Sequence, residues 1–290
     1  MKDNLENIVS DNNCSQNLQC DYSQLKIQKK FASGLTSDIY LALDEFNNQV
    51  VIKLFNEESL PNYLKEIHFF EKANNSSNLI KSYGHGHITS RNDKFCNHYY
   101  IIMEYADKGD LYSQIIEKER YEEPEAKLVF LQLINCVEDV HNQGFIHRDI
   151  KPENFLICNE KKIKLTDFGF CEEIDNVSKD ENGTPGYIPP EVLEKTTIIP
   201  KEIDVFSLGV IAFILVSGEL PFEDPTKEDP FYCFIHEDKW ESYWESVNCQ
   251  NLSKEFKEMF EGMVCKDPSK RLTIDQIKNS AWMSNICELL

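Results

Sequence analysis

Apolar positions change rhythm part-way along the chain. From Leu25 to about Tyr105, short runs rich in β-branched and aromatic residues alternate with polar connections. "DIYLAL" and "QVVIKLF" flank the polar "DEFNN" and predict strand, hairpin turn, strand. Leu60, Leu64, Ile67 and Glu71 then recur at helical spacing, with a helix end expected near "NNSSN". "NLIKSYG" and "NHYYIIMEY" predict two further strands. Beyond Tyr105 the period becomes helical. "EPEAKLVFLQLINCVEDVHNQG" carries Pro124 and acidic residues where a helix would start and Gly144 where it would stop. "DVFSLGVIAFILVSG" is apolar nearly all round, as a helix in the middle of a large unit would be. Amphipathic helices are expected around 252–264 and 273–280. The pattern predicts an α+β protein in which a small strand-rich part with one main helix precedes a larger helical part. Residues 1–24 lack any period and read as a flexible arm. The expected divisions are therefore 1–24, 25–105, 106–285 and a tail, 286–290.

Composition narrows the partners. Fifty acidic against 30 basic residues leave a formal charge of −20, which argues against binding nucleic acid or anionic membrane. A basic substrate or partner is favoured, while an acidic surface serving solubility accounts for the same charge. Ten cysteines without a C-x-x-C pair argue against a zinc cluster and for free thiols in a reducing compartment. The longest apolar run, Leu208 to Val216, has nine residues, too few to span a bilayer, and Met1 to Asp21 has no signal-peptide core. A soluble protein of the cytoplasm, or of the nucleus, is expected.

The chemistry concentrates between the two textures. "IHRDIKPENFLI" is followed, 18 residues after Asp149, by Asp167 in "LTDFGF". His147-Arg148-Asp149 with Asn154 fits H-R-D-x-x-x-x-N, and Asp167-Phe168-Gly169 fits D-F-G. In joint order and spacing, across about Leu25 to Trp282, the chain resembles a eukaryotic protein kinase of the Ser/Thr type, closest to the calcium/calmodulin-dependent group. The resemblance implies the bilobal protein kinase fold and the use of ATP and Mg²⁺. Phosphoryl transfer asks a protein chiefly to hold metal and align the attacking hydroxyl. By the resemblance Asn154 and Asp167 hold Mg²⁺, and Asp149 accepts the substrate hydroxyl's proton or orients that hydroxyl. By the same resemblance Lys151 is expected to contact the transferring phosphate and to favour Ser/Thr over Tyr acceptors. "VVIK" is similar to the family's V-A-I-K strand, which implies that Lys53 contacts the α- and β-phosphates and pairs with Glu66, 13 residues on.

The nucleotide loop departs from the family pattern. Aligned on Lys53, G-x-G-x-x-G-x-V falls on Ala32, Gly34, Ser37 and Ile39, so the first and third glycines are replaced. A stiffer loop and weaker nucleotide binding, without loss of catalysis, are expected. Val51 stands where the family usually has alanine over the adenine ring. Met103 is similar to the gatekeeper, with the backbone of Glu104 and Ala106 meeting the adenine edge; Glu153 and Leu156 complete the implied nucleotide set. Asp110 and Glu153 are acidic where basophilic kinases bind an upstream arginine, so Ser/Thr acceptors in basic contexts are expected; a helix-capping role for Asp110 fits equally well.

The activation segment, Asp167 to Glu191, ends in "GTPGYIPPE", with Thr184 as the threonine expected beside Asp149 and Lys151. Arg148 belongs to a pairing that often accompanies control by activation-loop phosphorylation. Here the loop is acidic, "CEEIDNVSKDEN", with Ser178 its only hydroxyl before Thr184. Its carboxylates either neutralise Arg148 or are solvated. Asp204 is expected to brace the catalytic loop and Arg271 to pair with Glu191; Cys171 is either a reactive thiol or a buried inert one. The sequence stops about eight residues past Trp282, without an evident calmodulin-binding segment, and calcium-independent activity is expected. Nothing in it bears on oligomeric state. The alternative reading is a pseudokinase, a nucleotide-binding or scaffold module, suggested by the worn glycine loop and opposed by the retention of Lys53, Asp149 and Asp167.

Overall fold

The structure is a computed structural model that describes residues 21–34, 36–73, 76–247, 249 and 251–284. Most of the expected arm and the expected tail 286–290 lie outside these residues. The described residues divide into two compact units, the first containing those before Ser76 together with Ile80–Tyr105, the second containing Ser76–Leu79 and those from Ala106 on.

The first unit is an antiparallel sheet with one main helix. Its strands are β1 (Lys26–Ser33), β2 (Ser37–Leu43), β3 (Gln49–Phe55), β4 (Ser82–His87) and β5 (Tyr99–Glu104), in the order β1-β2-β3-β5-β4. The "DEFNN" turn between β2 and β3 is held by Asp44, whose Oδ1 accepts from Phe46 N at 2.9 Å and Asn48 N at 2.7 Å. Side chains alternate across the sheet. On one face Tyr40, Ala42, Val50, Ile52, Leu54 and Ile102 form a buried cluster with Ile88 and Phe95. Tyr22, in a 3₁₀ turn over Tyr22–Gln24, packs on that cluster and donates to Asp93 Oδ1 at 3.2 Å, so the end of the expected arm is tied down. Registers Ile39↔Lys53 and Val51↔Met103 put those four residues on the opposite face. The helix, α1 (Leu60–Lys72), begins with a proline in its first turn and buries Tyr63, Glu66, Ile67 and Phe69.

Two differences from the sequence pattern have physical causes. β1 is an edge strand whose residues are almost all exposed and rich in lysine, so it carries no apolar alternation. β4 begins at Ser82, later than "NLIKSYG" suggests, because the buried Leu79 and Ile80 precede it in irregular chain and Leu79 bridges to Leu165 instead.

The second unit is mainly helical: α2 (Leu111–Lys118), α3 (Glu123–Asn142), α4 (Pro190–Leu193), α5 (Pro200–Ser217), α6 (Tyr232–His236), α7 (Trp240–Ser246), α8 (Lys254–Val264) and α9 (Ile274–Lys278). Every residue of α5 from Ile203 to Val216 is buried, which explains the absence of a polar face in its sequence. Around it α3 and α8 contribute Phe130, Phe256 and Phe260, and Trp282 closes the far side against Phe130 and Phe256. Glu123 ties these pieces, accepting from Trp282 Nε1 at 2.8 Å and Ser253 N at 2.7 Å. Four short strands, β6 (Phe145–Ile146), β7 (Phe155–Ile157), β8 (Ile163–Leu165) and β9 (Glu172–Glu173), pair as β6-β9 and β7-β8. They present the loops on which the motif residues sit. Among the described residues no helix is long and apolar enough to cross a membrane. Cysteines 96, 136, 158, 171, 233, 249 and 265 are unbridged thiols, and Cys171 is buried.

Candidate active site

The loop after β6 is fixed from below. Asp204, wholly buried in α5, accepts from His147 N (Oδ2, 2.8 Å) and Arg148 N (Oδ1, 2.9 Å). His141 Nε2 lies 2.8 Å from the same Oδ2 and, facing an ionised carboxylate, must carry the hydrogen. Burial alone would raise the Asp204 pKa; His141, together with His147 through its ring and its backbone amide, outweighs it and holds the carboxyl below its ordinary value. Arg148 sits at φ 68°, in the left-handed region, and Asp167 at φ 64°. Non-glycine residues there cost free energy, and such strain gathers at working sites.

On that base stands Asp149, itself buried. Its Oδ1 accepts the Thr184 hydroxyl at 2.6 Å; its Oδ2 lies 2.9 Å from Lys151 Nζ and 3.1 Å from Asn154 Nδ2. Lys151 Nζ also donates to Thr184 Oγ1 at 2.8 Å. Asn154 Nδ2 donates further to Asp149 O at 2.7 Å, which leaves its amide oxygen as the atom with ligand character. His147 donates through Nε2 to Thr166 O (3.0 Å) and accepts Asp149 N at Nδ1 (3.3 Å), the pattern of a neutral ring. Asp167 is half-buried two residues past β8, and Leu156 lies in β7, where it bridges to Asp110. Glu153 is exposed. Asp110 is the N-cap of α2, accepting from Ser113 N at 2.7 Å, so the capping role is realised.

In the first unit Lys53 Nζ donates to Glu66 Oε2 at 2.7 Å, with the two side chains 5% and 0% exposed. A buried ammonium needs such a partner. The helical spacing of α1 brings Glu66 to its apolar face opposite β3. Ile39, Val51 and Met103 share the sheet face of Lys53, and Ala32 on β1 stands opposite Ile39. Ser37 opens β2. Glu104 N donates to Lys81 O at 3.0 Å, which restricts its backbone to an acceptor's part, and the half-buried Ala106 is where the chain re-enters the second unit.

Two observations bear on nucleotide and metal. Gly34 N donates to Ser37 O at 2.8 Å, and a Cβ added at Gly34 would meet nothing closer than that oxygen at 3.5 Å. The loop's own packing does not demand glycine; a ligand lying on the backbone would. Asn154 and Asp167 offer hard oxygens of the kind that suits Mg²⁺. Among the described residues no three His, Cys, Asp or Glu side chains form a metal cluster.

Further from the reacting groups, Arg271 forks onto Glu191, Nη1 to Oε1 and Nη2 to Oε2 both at 2.7 Å, with Phe206 stacked 4.9 Å from the guanidinium. Two contributors escape the motif patterns. Glu172 is the carboxylate that meets Arg148, at 2.5 Å, and only the pairing of β6 with β9 selects it from an acidic run. Gly183, at φ +124°, passes so close that an added Cβ would lie 2.6 Å from Arg148 O; the "NGTPG" stretch was its faint signal.

Comparison with known proteins agrees with this geometry. Residues 25–283 match the protein kinase domain family. The chain is 29% identical over 273 residues to CBL-interacting protein kinase 11 of Oryza sativa subsp. japonica, covering 91% of this chain and 52% of that protein. It is 33% identical over 239 residues to serine/threonine protein kinase OSK3 of Oryza sativa subsp. indica (81% and 45%). It is 31% identical over 265 residues to SNF1-related protein kinase catalytic subunit alpha KIN12 of Arabidopsis thaliana (90% and 51%). The chain thus spans about half the length of these curated relatives. With its ordered motifs, its sheet-plus-helix and helical units, and a family match over nearly its whole length, the chain belongs to the protein kinase domain family.

Proposed function

We propose that the chain is a protein serine/threonine kinase that transfers the γ-phosphate of Mg-ATP to Ser or Thr hydroxyls, with residues 25–105 and 106–285 as its two lobes. The observation that carries this is the Asp149 carboxylate, held at once by Thr184, Lys151 and Asn154. A carboxylate oriented on both oxygens suits a group that must accept or align one hydroxyl proton. Mg-ATP, when bound, would supply the phosphoryl group and a divalent cation to neutralise the negative charge spread over its oxygens. The Asn154 amide oxygen and the Asp167 carboxylate are suited to hold the ion, and Lys53, kept extended by Glu66, to meet the α- and β-phosphates. Ile39, Val51 and Met103 would cover the base, with Ala32, Gly34 and Ser37 over the phosphates and the Glu104 and Ala106 backbone along the adenine edge. Lys151 neutralises charge beside the acceptor and favours Ser/Thr. The relatives' printed names, two of which give protein kinase and one serine/threonine protein kinase, support the same reading.

A charge of −20 and the exposed Glu153 support acceptors in basic contexts. Unbridged thiols support a reducing compartment, cytoplasm or nucleus. The test is transfer from Mg-ATP to matched basic peptides bearing Ser, Thr or Tyr. Transfer to Ser and Thr, lost when Mg²⁺ is chelated, is the expected result. ATP-dependent stabilisation with no transfer to any peptide would instead make the chain a pseudokinase.

A further inference from the structure

Arg148 precedes Asp149 and is almost completely withdrawn from water, its side chain 1% exposed. A buried guanidinium without a counter-charge is strongly destabilising. Its counter-charge comes from within. Nη1 donates to Glu172 Oε2 at 2.5 Å and to Ser178 at both Oγ (2.9 Å) and O (3.2 Å), and Nη2 donates to Asp180 O at 2.5 Å. Nε lacks an acceptor among the described residues and is itself buried, so a surface phosphate has no ready access to it. Glu172 in turn binds Ser178 twice, Oε2 accepting its N–H at 2.8 Å and Oε1 its hydroxyl at 3.0 Å.

The backbone fixes this carboxylate in place. Glu172 lies on β9 opposite Ile146 of β6, and Ile146 is two residues before Arg148. Downstream, the clamp passes to the reacting group: Arg148 holds Ser178 and Asp180, Gly183 packs on Arg148 O, and Thr184 donates to Asp149.

We propose that Glu172 is a positioning residue that substitutes for a phosphate on the activation segment. It holds Arg148, Ser178 and Asp180 so that Thr184 meets Asp149, and the enzyme needs no phosphorylation of this segment. A corollary concerns Ser178. Its hydroxyl donates to Glu172 at 3.0 Å and accepts from Arg148 Nη1 at 2.9 Å, so while Glu172 is present an anion there competes for a cation already neutralised and faces a like charge at hydrogen-bond distance. Phosphate on Ser178 therefore inhibits. The proposal rests on the kinase reading above and deepens it.

The test is a double-mutant cycle on protein shown by mass spectrometry to carry no phosphate. Wild type treated with phosphatase should keep its kcat. Glu172→Gln, which keeps shape and removes charge, should lower kcat by about tenfold with the KM for ATP little changed. Ser178→Glu should lower activity in the wild-type background and raise it in the Glu172→Gln background, where it returns the missing carboxylate; that reversal of sign is not expected of a merely structural residue. Activation of wild type by Ser178→Glu, loss of activity on dephosphorylation, or a silent Glu172→Gln would overturn the proposal. A second measurement does not depend on turnover. In Asp149→Asn protein, trypsin should cut after Lys179 about tenfold faster once Glu172→Gln is added, because Ser178 then loses the carboxylate that holds it and Arg148, which holds Ser178 and Asp180, loses its counter-charge. If no variant transfers phosphate but this contrast holds, the kinase reading fails and the clamp stands; equal cleavage rates overturn the clamp.

Discussion

Thr184 donates its hydroxyl hydrogen to Asp149 Oδ1 at 2.6 Å while receiving one from Lys151 Nζ at 2.8 Å. The activation segment thereby sets the orientation of the carboxylate that the proposed chemistry depends on. Thr184→Ala should lower kcat by about 100-fold, as misplacement of a reacting group by about an ångström does, while Thr184→Ser keeps the bridge and most of the rate. Steady-state kinetics on the two variants would check this; equal losses would mean that the methyl group, not the hydroxyl, matters.

Gly183 prepares that bridge. Its φ of +124° and its approach to Arg148 O leave no room for a Cβ, which would sit 2.6 Å from the carbonyl oxygen. Gly183→Ala should displace the segment and cost about 1–3 kcal/mol of strain. Phosphotransfer should fall together with a measurable drop in Tm. An active Gly183→Ala protein of unchanged stability would refute the steric argument.

Arg271 and Glu191 form a fork buried on both sides, with side chains 0% and 2% exposed. Removing either partner strands a charge, so Glu191→Leu or Arg271→Met should each destabilise by about 3–5 kcal/mol. The Glu191→Leu/Arg271→Met pair should cost less than the sum of its single replacements. Urea denaturation of the four proteins tests the coupling.

Glu202, near the start of α5, has its carboxyl pushed up to about 7 by burial, against which Arg271 pulls it down. Its Oε2 is buried without a partner among the described residues. The folded state therefore holds this proton more tightly than the unfolded state, whose carboxyl titrates near 4.5. The group's stabilising contribution is full below pH 4.5 and is lost as pH rises to about 7. Because the side chain is only half-buried, the loss is scaled down to about 1 kcal/mol. Glu202→Gln should match wild type at pH 4 and be more stable at pH 8 by about 1 kcal/mol, read as the difference between two denaturation series. A constant difference across that range would contradict the assignment.

Much of the fold and site is legible in the sequence, for reasons that vary by element. α5 announces itself because Ile203 to Val216 are buried without exception, and a helix with no polar face must be surrounded by protein on every side. The hairpin of β2 and β3 shows both in its alternation and in Asp44, whose side chain closes the turn. β1 stays hidden because an exposed, lysine-rich edge strand has no buried face to encode. Asp149, Asn154 and Asp167 are readable because their spacing is sequential. Whether the acidic run neutralises Arg148 is not, because the choice of Glu172 is made by the register of two short strands, a relation between residues 26 apart (172 − 146) that no local pattern carries.

The role proposed for Asp149 is to act on the acceptor hydroxyl, not to hold the nucleotide. The most direct measurement compares wild type with Asp149→Asn in two readings on the same samples, the Tm shift on adding Mg-ATP and the rate of phosphate transfer to a Ser peptide. An equal Tm shift is predicted, with a transfer rate lower by at least about 100-fold in the variant. Transfer at near wild-type rate by Asp149→Asn protein would contradict it.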